Sequence, residues 1–439
     1  MLESLPVGRL RRALHGDFVR DGAIIFGSTM LANVLSYAIH FILSRKIGVT
    51  EYGAFASLVN AVAIFGIPAA IVTMVVVKFV AEFHALDERG KIRVLSQRIL
   101  MGCGGLAAIL VILAVALRVQ IAAYLHLADA AGVVAAAFAL GCALLLPAIR
   151  GVLQGAQDFA AFAISTSIEA ICRVGLAVIF VYAGYGVAGA FAGYSLASLL
   201  SLAYTLSAVR KHWSDIPTPL AIDTRRLLVT MGGVIVGTAA ITVMSSIDIP
   251  LVKHFFSARD AGIYSAAAIC GKMLFFVVGF VPALVLPKAA QRAAAGEPAR
   301  AVLFQGLALT VALAASGLAV FLAAPQFVVR VTYGAAFVGA ASYLFKYGLA
   351  MSLLGITNVV VTYKIGLHRY NFVWPLVCTA VSEPIAIQYF HTSLWSVINV
   401  LLAVNAVALT LCFLGEKSGI AVSLRHAFES RMKRTDGVA

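Results

Sequence analysis

The sequence predicts an all-α polytopic membrane protein, with twelve transmembrane helices in two six-helix bundles related by a pseudo-two-fold axis along the membrane normal. Three observations predict this class: an apolar composition, twelve apolar runs of spanning length, and a repeat at an offset of 209 residues. Of the 439 residues, 62% are hydrophobic and 12% are charged, and the mean hydropathy is +0.98. A soluble domain of this size needs far more polar surface, because that surface must be hydrated.

The apolar runs give the predicted spans. A membrane-spanning helix needs about 20 apolar residues, and the fifth and sixth runs are separated only by AGYG at 183–186. We predict spans at 22–44, 53–80, 99–117, 131–149, 159–182, 187–209, 227–252, 261–287, 301–323, 340–363, 371–390 and 393–414.

Charged segments around these runs divide the chain into five parts. Residues 1–20 combine charges with spaced leucines, so we predict an amphipathic segment on the cytoplasmic membrane surface. The first six-helix bundle covers 21–209, and the polar segment 210–226 is a cytoplasmic linker. The second six-helix bundle covers 227–414, and a basic cytoplasmic tail covers 415–439.

A polar turn between the first two spans recurs in the second half of the chain. An acid followed closely by glycine favours a tight turn that starts a new helix. Because each half contains an even number of spans, both halves enter the membrane from the same side, as in transporters with parallel repeats. At the offset of 209 residues, the matched pairs are Glu51 and Asp260, Gly53 and Gly262, Glu88 and Glu297, and Tyr124 and Tyr333.

The distribution of basic residues predicts the orientation. Of the 33 Lys and Arg residues, 23 fall in predicted cytoplasmic segments and six in predicted outer segments. Cytoplasmic loops are enriched in these residues, so we predict a multi-pass protein of a bacterial inner membrane with both termini in the cytoplasm. The same bias accounts for the net charge of +14 without a nucleic-acid partner.

No motif predicts a catalytic residue, a cofactor or a metal. The P-loop pattern GxxxxGK[ST] and the metalloprotease pattern HExxH are absent. GYGVAG at 184–189 matches GxGxxG, but it lies between two spans and follows no strand, so we interpret it as a turn. The six cysteines fall in apolar runs without a CxxC pair, which favours neither disulfides nor zinc. We therefore expect a protein that is not an enzyme.

The turn carries a resemblance to a known family. Residues 45–53, RKIGVTEYG, resemble an R-x-x-G-x-x-x-(F/Y)-G turn of the polysaccharide and lipid-linked oligosaccharide (O-antigen-type) flippases, in the multidrug/oligosaccharidyl-lipid/polysaccharide exporter superfamily. GVLQGAQDF at 151–159 and YGVAGAFAGYSLASLL at 185–200 are similar to segments of the same flippases. The second copy of the turn departs from the pattern, with Ala261 in place of Tyr52. The resemblance implies two bundles around a central cavity and transport by alternating access.

Basic residues within the predicted spans are the candidates for binding substrate. A charge at a helix centre costs about 2.5–3.5 kcal/mol on insertion scales, so each requires a compensating role. Arg and Lys at this depth suit a diphosphate, which Arg binds bidentately. Alternatively, Arg173 forms a structural pair with Glu169 one turn earlier, and the outermost lysines extend to the membrane surface. The candidates are Arg173, Lys272, Lys346 and Lys78.

Acidic residues in the spans are the candidates for coupling transport to a cation, either a proton or sodium: Asp248, Glu383 and Glu169. Pro250 follows Asp248 closely, and a proline there frees backbone carbonyls for an ion. The alternative for Asp248 and Glu383 is a carboxylate that is hydrogen-bonded to a neighbouring helix.

The residues and the resemblance together predict a secondary transporter. It flips a polyprenyl-diphosphate-linked oligosaccharide from the inner to the outer leaflet for polysaccharide biosynthesis, in contact with membrane lipids and with a polysaccharide polymerase complex as a candidate partner. Two alternatives stay open. One is a cation-coupled multidrug exporter of the same superfamily, which favours an acidic cavity. The other is a glycosyltransferase, ligase or scaffold of a glycan assembly complex.

Alkaline phosphatase fusions test the predicted orientation, because this enzyme is active only outside the cytoplasm. Fusions after Gly53 or Gly262 should be active. Fusions within 84–98 or 210–226 should be inactive, because basic loops stay inside. Activity of a fusion in either basic loop would contradict the twelve-span arrangement.

Overall fold

The structure, a computed structural model, is helical throughout the regular elements that it describes. The side chains of the predicted amphipathic segment 1–20 and of the basic tail 415–439, and most side chains of the linker 210–226, lie outside the described residues. The chain divides into two compact units, Met1–Arg225 and Arg226–Ala439. The described residues are 7–214, 216, 224–295 and 297–435, without the side chains of 7–23, 224–230, 294 and 415–435.

The described part of the first unit contains seven α-helices: α1 (Val7–Phe65), α2 (Ile67–Ala85), α3 (Arg89–Ala116), α4 (Arg118–Tyr124), α5 (Ala131–Gly155), α6 (Phe159–Phe180) and α7 (Gly186–Val209). A five-residue π-helical segment, Val181–Tyr185, joins α6 to α7. Apolar side chains of α2, α3 and α5 pack together into a buried core that includes Val80, Ile92 and Leu153.

The second unit continues the chain with α8 (Thr224–Met244), α9 (Asp248–Phe255), α10 (Ala258–Val277), α11 (Val281–Ala294), α12 (Arg300–Ala323), α13 (Pro325–Thr332), α14 (Ala341–Gly366), α15 (Val373–Tyr389) and α16 (Leu394–Thr435). The order of helices resembles that of the first unit. Ala131 begins α5 and Ala341 begins α14, while Gly186 begins α7 and Leu394 begins α16. Both spacings are close to the sequence offset of 209 residues.

Ten helical segments of the described chain are long and apolar enough to cross a membrane. Two features make this number smaller than the twelve predicted spans. Phe159–His212 counts as one segment of 54 residues, although Gly184, with a φ of 96°, interrupts it between α6 and α7. Helix α15 has 17 residues, at the lower end of the spanning range. The chain is an all-α multi-pass membrane protein, and its arrangement as two six-helix bundles stays a prediction.

The first helix bends at Gly48, before the Glu51-Tyr52-Gly53 segment. Gly48 has a φ of 78° and a ψ of 176°, a conformation that L side chains rarely adopt. At the offset of 209 residues, Gly48 corresponds to Ser257, the N-cap of α10, whose Oγ accepts a hydrogen bond from Asp260 N at 3.1 Å. The two units thus interrupt their helices at matched positions, one with a glycine bend and the other with a capped helix start.

Three basic residues that were assigned to predicted loops lie in helices and are buried. Helix α5 continues through Gly155, so Arg150 is a helix residue and is 8% exposed. Lys253 in α9 and Lys364 in α14 are 1% and 0% exposed. Each helix therefore continues past the end of the predicted span, which was set at the charge.

Helices α6 and α7 approach each other closely enough for backbone contact. A Cβ atom on Gly193 would lie 2.5 Å from Ala177 N and 2.7 Å from Ala177 Cα, so glycine alone fits there. Small residues permit such contact between membrane helices, for which lipid supplies no hydrophobic driving force. The contact holds α7 against α6 near the polar side chains described below.

Replacing this glycine should destabilise the protein. We expect Gly193→Ala to lower stability by about 1–3 kcal/mol, because the added methyl group overpacks a filled interface. Gly175→Ala in α6 is the matched control, since nothing lies within 4 Å of its added Cβ, and alanine favours a helix. The melting temperatures of the two purified variants measure the difference. Equal melting temperatures would contradict the close packing of α6 on α7.

Candidate functional site

Glu169 in α6 binds two arginines in the first unit. Arg150 Nη1, from α5, lies 2.7 Å from Glu169 Oε2. Arg173, one turn along α6, is ion-paired with Glu169 Oε1, and Ser198 Oγ from α7 donates to the same oxygen at 3.4 Å. The pair that the i,i+4 spacing indicated is therefore present. One carboxylate links α5, α6 and α7 and compensates two cations.

Arg150 is the more extensively bonded of these two arginines. Its Nε donates to Ser165 Oγ at 2.6 Å, and its Nη2 donates to Ser165 O and Ser201 Oγ at 2.8 Å each. Ser165 Oγ also lies 2.7 Å from Thr205 Oγ1. Because its donors are directed to protein acceptors, Arg150 holds three helices together. Sequence reasoning missed this residue by placing it in a loop; the hydroxyls of Ser201 and Thr205, one helical turn apart, were the available signal.

Arg173 is less completely bonded than Arg150. Its guanidinium lies over the Tyr194 ring, 5.1 Å from the centroid, and its Nε has no hydrogen-bond partner among the described residues. The Arg173 side chain is 29% exposed, compared with 10% for Arg150. Two guanidinium groups share one carboxylate, so the cluster keeps a net positive charge. Phosphate oxygens suit such a group, because guanidinium binds them bidentately.

Asp248, at the start of α9, is the centre of a second cluster, in the second unit. Its Oδ2 accepts hydrogen bonds from the hydroxyls of Tyr264 in α10 at 2.9 Å and Tyr347 in α14 at 2.7 Å. Lys272 Nζ, also from α10, donates to Asp248 Oδ1 at 3.4 Å. Asp248 is 0% exposed and Lys272 is 5% exposed. The structure thus pairs a candidate coupling acid with a candidate substrate cation, and the two predicted roles stay predictions.

Glu383, in α15, belongs to the same region of the second unit. It is 0% exposed, and it interacts electrostatically with Asp248 and Lys272. Neither of its carboxylate oxygens has a hydrogen-bond partner among the described residues. The sequence left open that each of these acids is hydrogen-bonded to a neighbouring helix. Asp248 has such hydrogen bonds, whereas Glu383 has none among the described residues.

The other two candidate lysines lie in neither cluster. Lys78, in α2, is exposed, which agrees with a side chain that extends along the helix surface. Lys346, in α14, is also exposed, and its Nζ lies over the Trp395 ring at 4.9 Å from the centroid. A cation over an indole ring is stabilised without a carboxylate. Substrate binding by either lysine stays a prediction.

An apolar cavity of about 770 Å³ lies between α5 and α7. Its walls include Val134 and Phe138 from α5, Tyr185 from the joining segment, and Leu196 and Leu199 from α7. No charged residue lines it, so it offers nothing to a phosphate. Arg150, Glu169 and Arg173 are charged side chains of the first unit that lie together, and with Ser198 we call them the Glu169 cluster.

The fold is shared with transporters of the MOP superfamily. A multidrug resistance MATE family transporter in an inward-facing conformation matches 91% of this chain and 98% of its own, with a TM-score of 0.75 and 12% identity. The lipid II flippase MurJ matches 90% of this chain and 87% of its own, with a TM-score of 0.69 and 13% identity. A MOP superfamily transporter from Pyrococcus furiosus covers 92% and 94%, with a TM-score of 0.62 and 13% identity. These neighbours are transporters rather than enzymes.

A family model identifies the chain more closely than the fold does. No curated protein matches the sequence significantly. The model of a family described as polysaccharide biosynthesis protein matches residues 18–289, which is more than half of the 439 residues. The matched region contains the whole Glu169 cluster together with Asp248 and Lys272. This chain therefore belongs to the polysaccharide biosynthesis protein family.

Proposed function

We propose that this protein is a secondary transporter that flips a polyprenyl-diphosphate-linked oligosaccharide from the inner to the outer leaflet of a bacterial inner membrane. Membership of a polysaccharide biosynthesis family supports a glycan substrate. The fold shared with a flippase and with multidrug transporters supports movement of that substrate rather than its synthesis. Two six-helix bundles, 21–209 and 227–414, alternate in opening to either side, as parallel-repeat transporters do.

The observation that carries this proposal is the net positive charge of the Glu169 cluster. Arg150 is bonded to protein acceptors, whereas Arg173 has an unpartnered Nε and is the more exposed of the two. A positive charge between apolar helices is costly unless an anion neutralises it for at least part of the cycle. A diphosphate supplies that anion, and Arg173 is the residue that binds it.

A lipid-linked sugar needs two environments at once. Its diphosphate and glycan cannot cross hydrocarbon unaided, because each buried polar group without a partner costs several kcal/mol, roughly 2–7 in apolar solvents. Its polyprenyl chain remains among the membrane lipids, in contact with exposed apolar side chains such as Phe138 and Leu199. A polysaccharide polymerase complex, which consumes the flipped unit, is the expected partner.

A secondary transporter that works uphill needs a coupled ion gradient, and the second unit contains acidic candidates for binding a cation. Asp248 and Glu383 are buried acids in one electrostatic cluster. Glu169 is the third predicted candidate, but both of its oxygens already bind arginine. The Asp248 cluster is therefore the better supported position for coupling.

A multidrug exporter is the second candidate function. The likeness to a MATE transporter and the buried acids of the second unit favour it. An exporter of cationic drugs needs an acidic binding region, whereas the Glu169 cluster is positive. Drug resistance conferred by expression of this protein, with no effect on glycans, would support the exporter and contradict the flippase.

Deleting the gene tests the proposed function directly. We expect a surface or secreted polysaccharide to disappear, because its lipid-linked units no longer reach the outer leaflet. These lipid-linked units should accumulate in the cell, and extraction followed by mass spectrometry measures their amount. Normal polymer export in a deletion strain that has no second flippase would rule out the assigned role.

Substitutions in the Glu169 cluster separate a substrate ligand from a structural residue. Arg173→Ala should abolish export at normal protein abundance, and Arg173→Lys should restore only part of it, because an ammonium lacks the bidentate geometry. Arg150→Ala is the matched control and should lower abundance, since it removes the buried side chain that bonds Glu169, Ser165 and Ser201 together. Abundance and export are measured together by immunoblotting and polymer assay. Restoration of export by Glu169→Gln in the Arg173→Ala background would show that Arg173 is only half of a structural pair.

A further inference from the structure

We propose that Tyr194, in α7, is a positioning residue for the diphosphate site: its ring holds the Arg173 guanidinium in place without using a hydrogen-bond donor of that group. The Arg173 Cζ atom lies over the ring, 5.1 Å from its centroid. The inference rests on the proposed transport function, and it deepens that function by naming the residue that keeps Arg173 available to a phosphate.

A buried cation can be compensated in ways that leave it with different capacities. A carboxylate cancels its charge, and a hydroxyl or carbonyl oxygen takes up one of its N–H donors. An aromatic ring instead attracts the cation through the negative face of its π system. Because the ring carries no net charge and accepts no conventional hydrogen bond, both the charge and the donors stay available to an anion.

The two arginines of the Glu169 cluster show this contrast. Arg150 donates from all three of its guanidinium nitrogens to hydroxyl, carbonyl or carboxylate oxygens. Arg173 has an ion pair with Glu169 and the contact with the Tyr194 ring. Its Nε is a buried donor without a hydrogen-bond partner among the described residues. A buried donor without an acceptor is costly, so a phosphate oxygen at this nitrogen would stabilise the site.

The packing of α7 against α6 places the ring beside the guanidinium. Gly193 directly precedes Tyr194, and a Cβ atom on Gly193 would lie 2.5 Å from Ala177 N in α6. Ala177 follows Arg173 by about one helical turn. The closest backbone contact between the two helices therefore lies next to both side chains and fixes the separation from which they meet.

Two buried aromatic side chains hold the Tyr194 ring in its turn. Phe55, from α1, meets it edge to face, with centroids 6.0 Å apart and an interplanar angle of 86°. Phe191, from α7, has its centroid 5.6 Å from that of Tyr194. Phe55 and Phe191 are 0% and 1% exposed, and their own centroids are 5.6 Å apart. Closely packed rings of this kind have little freedom to move, so the guanidinium rests on a rigid surface.

Graded fluorination of the ring tests the proposal in a protein of nearly unchanged shape. Phenylalanine and its mono-, di- and trifluorinated forms are introduced at position 194, and the affinity of the purified protein for a polyprenyl diphosphate is measured. Tyr194→Phe should retain most of the affinity. Each fluorine withdraws electrons from the ring face, so the affinity should then fall stepwise, while the affinity for uncharged polyprenol stays constant. Equal diphosphate affinities across the series would overturn the proposal.

Tyr194→Leu removes the ring altogether. We expect the dissociation constant of the diphosphate to rise by roughly twofold to thirtyfold, the range that corresponds to a cation–ring contact. Tyr204→Leu, further along α7, is the matched control and should bind as the wild type does. In an Arg173→Ala background the effect of Tyr194→Leu should disappear, because the ring then has no cation to hold. An equal loss with and without Arg173 would overturn the proposal, because it would show that the ring acts through packing alone.

The same measurements separate this inference from the proposed function. If Arg173→Ala weakens diphosphate binding while the fluorinated series does not, the substrate site stands and the role of Tyr194 is wrong. If Arg173→Ala leaves diphosphate binding unchanged, the proposed substrate site is wrong, and the role of Tyr194 is overturned with it.

Discussion

A charged side chain buried between apolar helices has to be compensated by a partner of opposite charge, and the polar interior of this protein is arranged around that constraint. In the first unit, Glu169 compensates both Arg150 and Arg173. In the second unit, Lys272 compensates Asp248, while Glu383 has no hydrogen-bond partner among the described residues. The first cluster therefore has a surplus of positive charge and the second a surplus of negative charge when all groups are ionised. We propose that a diphosphate neutralises the first surplus and that a coupling cation neutralises the second.

The position of the first surplus depends on helix packing. The backbone contact at Gly193 keeps α7 against α6, and that contact brings Ser198 to Glu169. Arg150, bonded to Ser165 and Ser201, fixes α5 to the same pair of helices. Serine hydroxyl groups accept hydrogen bonds from Arg150, whose side chain is 10% exposed. The Arg173 side chain is 29% exposed, so its ion pair with Glu169 is less buried. The two arginines thus have different surroundings, and the different roles proposed for them rest on that difference.

The sequence predicted the membrane class, the helical runs and the Glu169–Arg173 pair, since composition and i,i+4 spacing are local properties. It did not predict the contact between Asp248 and Lys272, which lie on different helices and 24 residues apart, so that only the tertiary fold shows their proximity. Arg150 was missed because a charge at the end of an apolar run resembles a loop boundary. The bend at Gly48 lies inside the turn predicted at residues 45–53, but sequence reasoning attributed that turn to Glu51-Tyr52-Gly53 rather than to the glycine with positive φ.

The most direct measurement of the central claim is the affinity of purified protein for a polyprenyl diphosphate, with the uncharged polyprenol of equal length as the control ligand. A charge-assisted contact contributes about 1.5–3 kcal/mol, which corresponds to roughly a tenfold to hundredfold change in the dissociation constant. Arg173→Ala should therefore weaken diphosphate binding by that factor and leave polyprenol binding unchanged. Equal affinities of the wild type and Arg173→Ala for the diphosphate would contradict the account.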